Sequence, residues 1–388
     1  MLRAVRGFDC VSTDGAPLLF NGATGDDVQR AMVPGRDGNG FGLFLFNTAF
    51  GEVFFTINLD AQATWFVHFD YANAVSGQTP NYAVQKFLEI GAVYLQQRSD
   101  GKIDVFGPAG LICTSSVAIP AVAQDTAANY VGIELRVSSG SPGSVELRFD
   151  GTTVASGNTA LPGMPSTITF HQQGFGPPGY IIDNLVIWDG QPGDQFTTFQ
   201  GRMRVSTLVP TSDVVTNWSP NSGSNCFSRV DSVNGGVPNA GPFGDSSFID
   251  PGAGDPDQLF TVSAPGCYGK IYAVAVSSCA RPTSGSPTLN YLYVGSGGSH
   301  VVGTVHPAFV GRWNTNEPLA LKDYSIYQAL VVNNPDTGAG WTDPQLTNGE
   351  FGVGAQATPT LRVSLFYVEK VVSLVPQPFD CGGGNYSY

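Results

Sequence analysis

Apolar residues in this chain alternate with polar ones or run in short blocks, and the blocks end at Gly, Asn, Asp or Pro. An amphipathic helix needs an apolar stripe at i, i+3, i+4 and i+7, whereas a half-buried strand needs only every second side chain. The chain follows the second rule nearly throughout. Its clearest instance is SVELRFDGTTVAS (144–156), where two alternating segments flank Asp150–Gly151. That dipeptide readily adopts the positive φ angles of a tight hairpin turn.

Further strand candidates are GFGLFLFNTA (40–49), EVFFTINL (52–59), TWFVHFDYAN (64–73), YVGIELRVSS (130–139), TITFHQ (167–172) and YIIDNLVIWDG (180–190). The stretch 84–107 reads as two or three strands with a turn at Asp100–Gly101. With one apolar face per strand, these pack as two antiparallel sheets. QPGDQFTT (191–198) reads as a short linker. A second series then begins at GRMRVSTLVPT (201–211) and closes with LRVSLFYVEKVVSLV (361–375). The expected division is 1–195, 199–378 and a tail at 379–388. The polar stretch 212–257 is too long for a free loop in a compact domain, so Trp218, Phe227, Phe243 and Phe248 should hold it down. Either its own sandwich or a partner subunit could supply the contact. Residues 201–230 suit a seam, because Asp213 is their only acid beside Arg202, Arg204 and Arg229.

Only 13 % of the residues are charged and the formal net charge is −13, which argues against nucleic-acid binding. No apolar run of membrane-spanning length occurs, and the first residues lack the apolar stretch of a secretory leader, so no membrane insertion and no classical export are expected. The six cysteines include no CxxC; Cys267 and Cys279 could pair across a hairpin, or the thiols could be free.

The chemistry-bearing residues form no recognisable engine. No GxSxG elbow accompanies the histidines at 68, 171, 300 and 306. His300 and His306 lack an evident third metal ligand. Glu89, Glu134 and Glu146 lie in strands without the spacing of a catalytic carboxylate pair. Asp183–Asn184 and GDPD (254–257, with Asp255 and Asp257) are the acid-rich spots considered for calcium, and a backbone role suits them better. No enzyme, cofactor or metal is expected. Phe175, Tyr180, Trp218, Trp313 and Trp341 are the candidates for contact with a glycan or a protein partner, since they border loops or turn-like segments. Trp65 and Trp188 read as core.

SVELRFDGTTVAS followed by YIIDNLVIWDG resembles the concanavalin A-like, laminin-G-type sandwich of many carbohydrate-binding modules. GRMRVSTLVPTSDVVTNWSP, DSSFIDPGAGDPDQLFTV, IYAVAVSSCARP and LRVSLFYVEKV resemble the C-terminal part of structural proteins of tailed bacteriophages and prophages. Together these resemblances imply an all-β protein: an N-terminal concanavalin A-like jelly-roll sandwich followed by a second antiparallel β-sandwich. They imply a non-enzymatic virion component, assembled in the host cytoplasm and exposed on the particle. Its implied partners are other virion proteins and further copies of itself in a homo-oligomer. The alternatives are an adhesin that binds host-surface glycan and, behind it, a polysaccharide-degrading enzyme.

Overall fold

Asp150 and Gly151 take φ angles of 46° and 82°, and the chain reverses there so that Gly140–Phe149 pairs antiparallel with Thr152–Leu161. The same logic operates at Gly101, φ 80°, which joins Val93–Gln97 to Ile103–Gly107. The computed structural model describes residues 1–7, 22–24, 28–34, 41–47, 52–75, 84–123, 130–173, 179–231, 247–251, 257–264, 269–307, 324–355 and 361–374.

Four sheets result, and all described strand pairings but one are antiparallel; Ala121–Ala123 runs parallel to Thr64–Val75. The first sheet runs Thr152–Leu161, Gly140–Phe149, Val131–Ser138, Thr64–Val75, Gly179–Trp188, Phe41–Asn47, Val28–Pro34, with Leu2–Arg6 also paired to Gly179–Trp188. The second runs Gly110–Thr114, Ile103–Gly107, Val93–Gln97, Gln85–Ile90, Thr167–Gln173, Glu52–Asn58, Gly22–Thr24. Trp65, Phe69, Tyr71, Phe87, Leu95, Ile133 and Phe170 are buried between them. The third sheet is built on Leu361–Ser373 and Ile271–Pro282 and includes Met203–Leu208. The fourth runs Pro210–Thr216, Asp257–Val262, Glu350–Ala355, Leu289–Gly295, Gly298–Val305. Phe260, Tyr291, Phe351 and Phe366 lie in the core of this second sandwich. The described helices, Phe227–Val230 and Asp343–Asn348, are too short to cross a membrane.

The two sandwiches are fused by a third apolar cluster. The outer faces of the first and third sheets meet there, burying Val5, Phe66, Val186, Trp188, Met203, Val205, Ala273, Ala275 and Val371 together. Trp188 is thus buried in the seam and not inside its own sandwich. The connection 189–202 is packed into this seam: Phe196 is fully buried, with its ring 5.8 Å from Trp188 and 5.9 Å from Tyr272. The apolar part of 201–208 therefore faces its own chain, which supplies the seam that the sequence left open between self and partner. Of the polar stretch, Trp218 and Val230 enter the second core and Phe227 packs against it, while Arg362 covers the Phe248 ring. Phe243 lies outside the described residues.

Several buried polar groups in the seam are matched in pairs. The Val205 N–H donates to Asn184 Oδ1 at 2.7 Å, and Asn184 Nδ2 donates to Asp70 Oδ2 at 2.7 Å. The Gly7 N–H donates to Glu369 Oε1 at 2.6 Å; Gln328 Nε2 donates to Glu369 Oε2 at 2.9 Å and to the Val5 carbonyl at 3.0 Å. Asn184 holds a left-handed φ of 53° at a register shift in its strand, with its N–H capped by Asp183 Oδ1 at 2.7 Å. The Asp183–Asn184 pair thus shapes backbone and joins domains.

Candidate functional site

The outer face of the second sheet is the solvent side of the first sandwich. Strand alternation sends Phe55, Ile57, Leu88, Ile90, Val93, Leu95, Val105, Ile168 and Phe170 inward to the core. The alternate positions then line up in register across six strands: Thr56, Thr169, Glu89, Tyr94, Phe106 and Leu111. A second row holds Lys86, Gln96, Asp104 and Thr114. Tyr94 and Phe106 stand face to face, their centroids 4.8 Å apart and their planes 8° from parallel. Lys86 Nζ sits 5.1 Å from the Tyr94 centroid, over its ring. Both rings are half-buried and Leu111 is 56 % exposed.

Glu89 is the electrostatic centre of this face. It forms an ion pair with Lys86, and His171 Nε2 lies 3.1 Å from its Oε2. The His171 imidazole is the largest influence, drawing the Glu89 carboxyl down to about 2 with help from Lys86 and against partial burial. Asp104 accepts from Thr114 Oγ1 at 2.6 Å and has Arg98 Nη1 at 3.7 Å. Thr56 and Thr169 hydroxyls are bonded at 3.1 Å. The result is an aromatic pair bordered by amide, hydroxyl and carboxylate groups, whose cations already face carboxylates.

The aromatic candidates drawn from the sequence do not assemble into a site. Tyr180 is fully buried and its hydroxyl donates to the His171 carbonyl at 2.7 Å. Trp218, 3 % exposed, belongs to the second core. Trp341, 4 % exposed, donates its indole N–H to the Val331 carbonyl at 2.9 Å and packs edge-on against Tyr293. These three are core residues: Tyr180 is an inward position of the strand Gly179–Trp188, and the turn-like segments around Trp218 and Trp341 place their indoles in the second core. Phe175 and Trp313 lie outside the described residues. Tyr94 and Phe106 were missed; Tyr94 falls between the buried Val93 and Leu95 of VYLQQ, and Phe106 is the one incompletely buried position of IDVFG.

The acidic and histidine candidates are dispersed. Glu134 and Glu146 project from the first sheet into the seam, so the sandwich core separates them from Glu89. His68 is in the seam with Nε2 3.3 Å from the Met203 carbonyl. His300 Nε2 is 2.7 Å from Asp336 Oδ1, and His306 Nδ1 is 3.4 Å from the Thr288 hydroxyl. Among the described residues no three His, Cys, Asp or Glu side chains could hold a metal ion. Asp257 opens a strand, and Asp255 lies outside the described residues. Cys113 and Cys226 are free thiols, pushed up by burial to about 11 and about 12 respectively. Cys279 is buried, and Cys267 lies outside the described residues.

No protein-family model matches the chain. No curated protein matches it. Several solved structures are similar to part of it. The Ca2+-bound exoplasmic/lumenal domain of VIP36 aligns at 9 % identity over 52 % of this chain and 97 % of its own, with a TM-score of 0.33. The globular domain of T. cruzi calreticulin aligns at 11 % identity over 49 % and 88 %, TM-score 0.31. Alginate lyase Aly36B aligns at 13 % identity over 47 % and 95 %, TM-score 0.28. Scores of this size carry neither a ligand nor an activity across. The class defined by the coordinates themselves is an all-β protein of two fused antiparallel sandwiches.

Proposed function

We propose that the chain is a non-enzymatic saccharide-binding attachment protein, with the outer face of the second sheet as its contact surface. The observation carrying this reading is the Tyr94–Phe106 pair in register with Glu89 and Thr169 and bordered by Gln96 and Asp104. Sugars present apolar C–H faces to aromatic rings and hydroxyls to amides and carboxylates, and this face offers both. Lys86, Arg98 and His171 each lie beside a carboxylate, which favours a neutral glycan over a uronate or sialylated one. Cleavage is not part of the reading. Glycosidases need a protonated acid and a second carboxylate across a cleft. Glu89 is held ionised, and Glu134 and Glu146 are on the far side of the core.

A virion-surface setting with virion partners and a homo-oligomeric form is what the sequence resemblance implies. No feature of the fold favours it over another glycan-facing location, so attachment is put forward in preference to particle architecture.

The test is a panel of immobilised neutral and acidic polysaccharides. Binding to a neutral polymer is expected to fall about tenfold for each of Tyr94→Ala and Phe106→Ala, with polymer length unchanged on incubation. No binding to any saccharide, or binding indifferent to both substitutions, would overturn the proposal. Shortening of the polymer would overturn its non-enzymatic part.

A further inference from the structure

On the seam side of the first sheet, Glu134 stands opposite Arg148, and Arg136 opposite Glu146. This would pair each acid with a cation, but both arginines turn to Glu146. Arg148 reaches Glu146 Oε1 at 2.7 Å and Arg136 reaches Oε2 at 3.3 Å. Arg148 is further held 3.8 Å above the Phe199 ring of the connecting segment. Glu134 is 1 % exposed, and no described cation lies within ion-pair distance. Its Oε1 accepts the N–H groups of Gln200 at 3.1 Å and Gly201 at 2.9 Å. The left-handed φ of 77° at Gly201 accompanies the turn that presents both donors. Glu134 Oε2 is buried and has no hydrogen-bond partner among the described residues. His68 faces Glu134 from the neighbouring strand, with Nε2 directed to the Met203 carbonyl. Tyr272 approaches from the second sandwich, near enough for the Glu134 charge to help raise its phenol.

We propose that Glu134 is a proton-operated latch that holds the 189–202 connection, and with it the second sandwich, against the first. As a neutral acid, Glu134 keeps an acceptor for the two backbone donors and buries no charge. As a carboxylate it leaves one oxygen desolvated and unpaired, which the docked seam tolerates poorly. Burial raises the carboxyl from 4.5 to about 7; the Gly201 and Gln200 N–H groups and Arg148 oppose this, and Glu146 reinforces it. Because the docked form holds the proton more tightly than the open form, docking is strongest below pH 4.5. It weakens as pH rises from there to about 7, and is level above that. The latch does not depend on what the outer sheet face binds.

The experiment uses the full chain and Glu134→Gln, which keeps the acceptor and removes the titration. Cleavage within 189–202 by a broad-pH protease is measured from pH 5 to 9, normalised to an unstructured peptide. Relative to the glutamine variant, wild-type cleavage should rise by on the order of 100-fold up to about pH 7 and then level off. Equal pH dependence in both proteins, or a wild type that tightens as pH rises, would refute the latch. If the glutamine variant does not fold, infrared spectroscopy of the wild type decides. A buried protonated carboxyl band must disappear with a midpoint near 7, and its absence at pH 5 refutes the latch equally.

Discussion

Trp188→Ala is expected to destabilise the protein by about 3–5 kcal/mol and to weaken the coupling of the two sandwiches. Trp188 is fully buried, stacked on Phe66 at 5.3 Å with planes 3° apart, and its indole N–H donates to the Thr198 carbonyl at 3.1 Å. Truncation leaves a cavity where Phe66, Phe196 and Val186 meet, and none of these can collapse without disturbing the 189–202 connection. Cys279, Tyr324, Leu365 and Tyr367 of the second sandwich also reach the core of the first, so the loss should weaken the coupling and broaden or split the single transition expected of the wild type. Trp65→Ala is the informative control. Trp65 is equally buried, but within the first sandwich, so its loss should lower stability without broadening or splitting the transition. Calorimetry and denaturant titration followed by fluorescence measure both. A Trp188→Ala protein within about 1 kcal/mol of wild type would show that the seam contributes little.

Asn184→Ala should cost about 3–5 kcal/mol, and Asn184→Gly about 1 kcal/mol less. Both changes strip the Val205 N–H of its acceptor and Asp70 of a donor in a buried region. Only alanine also carries a Cβ into the left-handed φ of 53°. The comparison separates the two causes. Equal losses for alanine and glycine would mean that backbone conformation contributes nothing. Losses under about 0.5 kcal/mol in both would mean that the Asn184 bonds do not hold the seam. Asn184→Asp should be worse than either hydrogen-bond deletion alone, because it places a third acid beside Asp70 and Asp183.

Much of the candidate site was legible before any coordinates. A hairpin centred on Asp100 pairs residues symmetrically about it, and that symmetry sets Tyr94 opposite Phe106. Alternation with Val93 and Leu95 inward then sends Tyr94 to the outer face. Aromatics beside loops are a poorer guide, since Trp218 and Trp341 sit among turn residues yet are buried. Sequence context reports local backbone preference, and it does not report what a loop folds over. Glu134 gives the complementary case. The sequence shows an acid in an alternating strand, which reads as a solvent-facing side chain. Its outward direction is correct, but outward from the first sheet means onto the 189–202 connection in the seam.

Period-two patterning and turn chemistry are local properties of the backbone and its side-chain order. They determined that this chain is all-β, where the hairpins turn, and which faces of its strands are apolar. Which outer face meets solvent and which meets the other sandwich was decided only by tertiary structure. Phe66, Val186 and Trp188 alternate with core residues of their own sandwich, so their strands are apolar on both sides, and the pattern alone does not name what covers the second side. Long-range packing selects that partner. Met203 and Val205 follow closely in sequence, yet Ala273, Ala275 and Val371, which complete the seam, come from strands far along the chain.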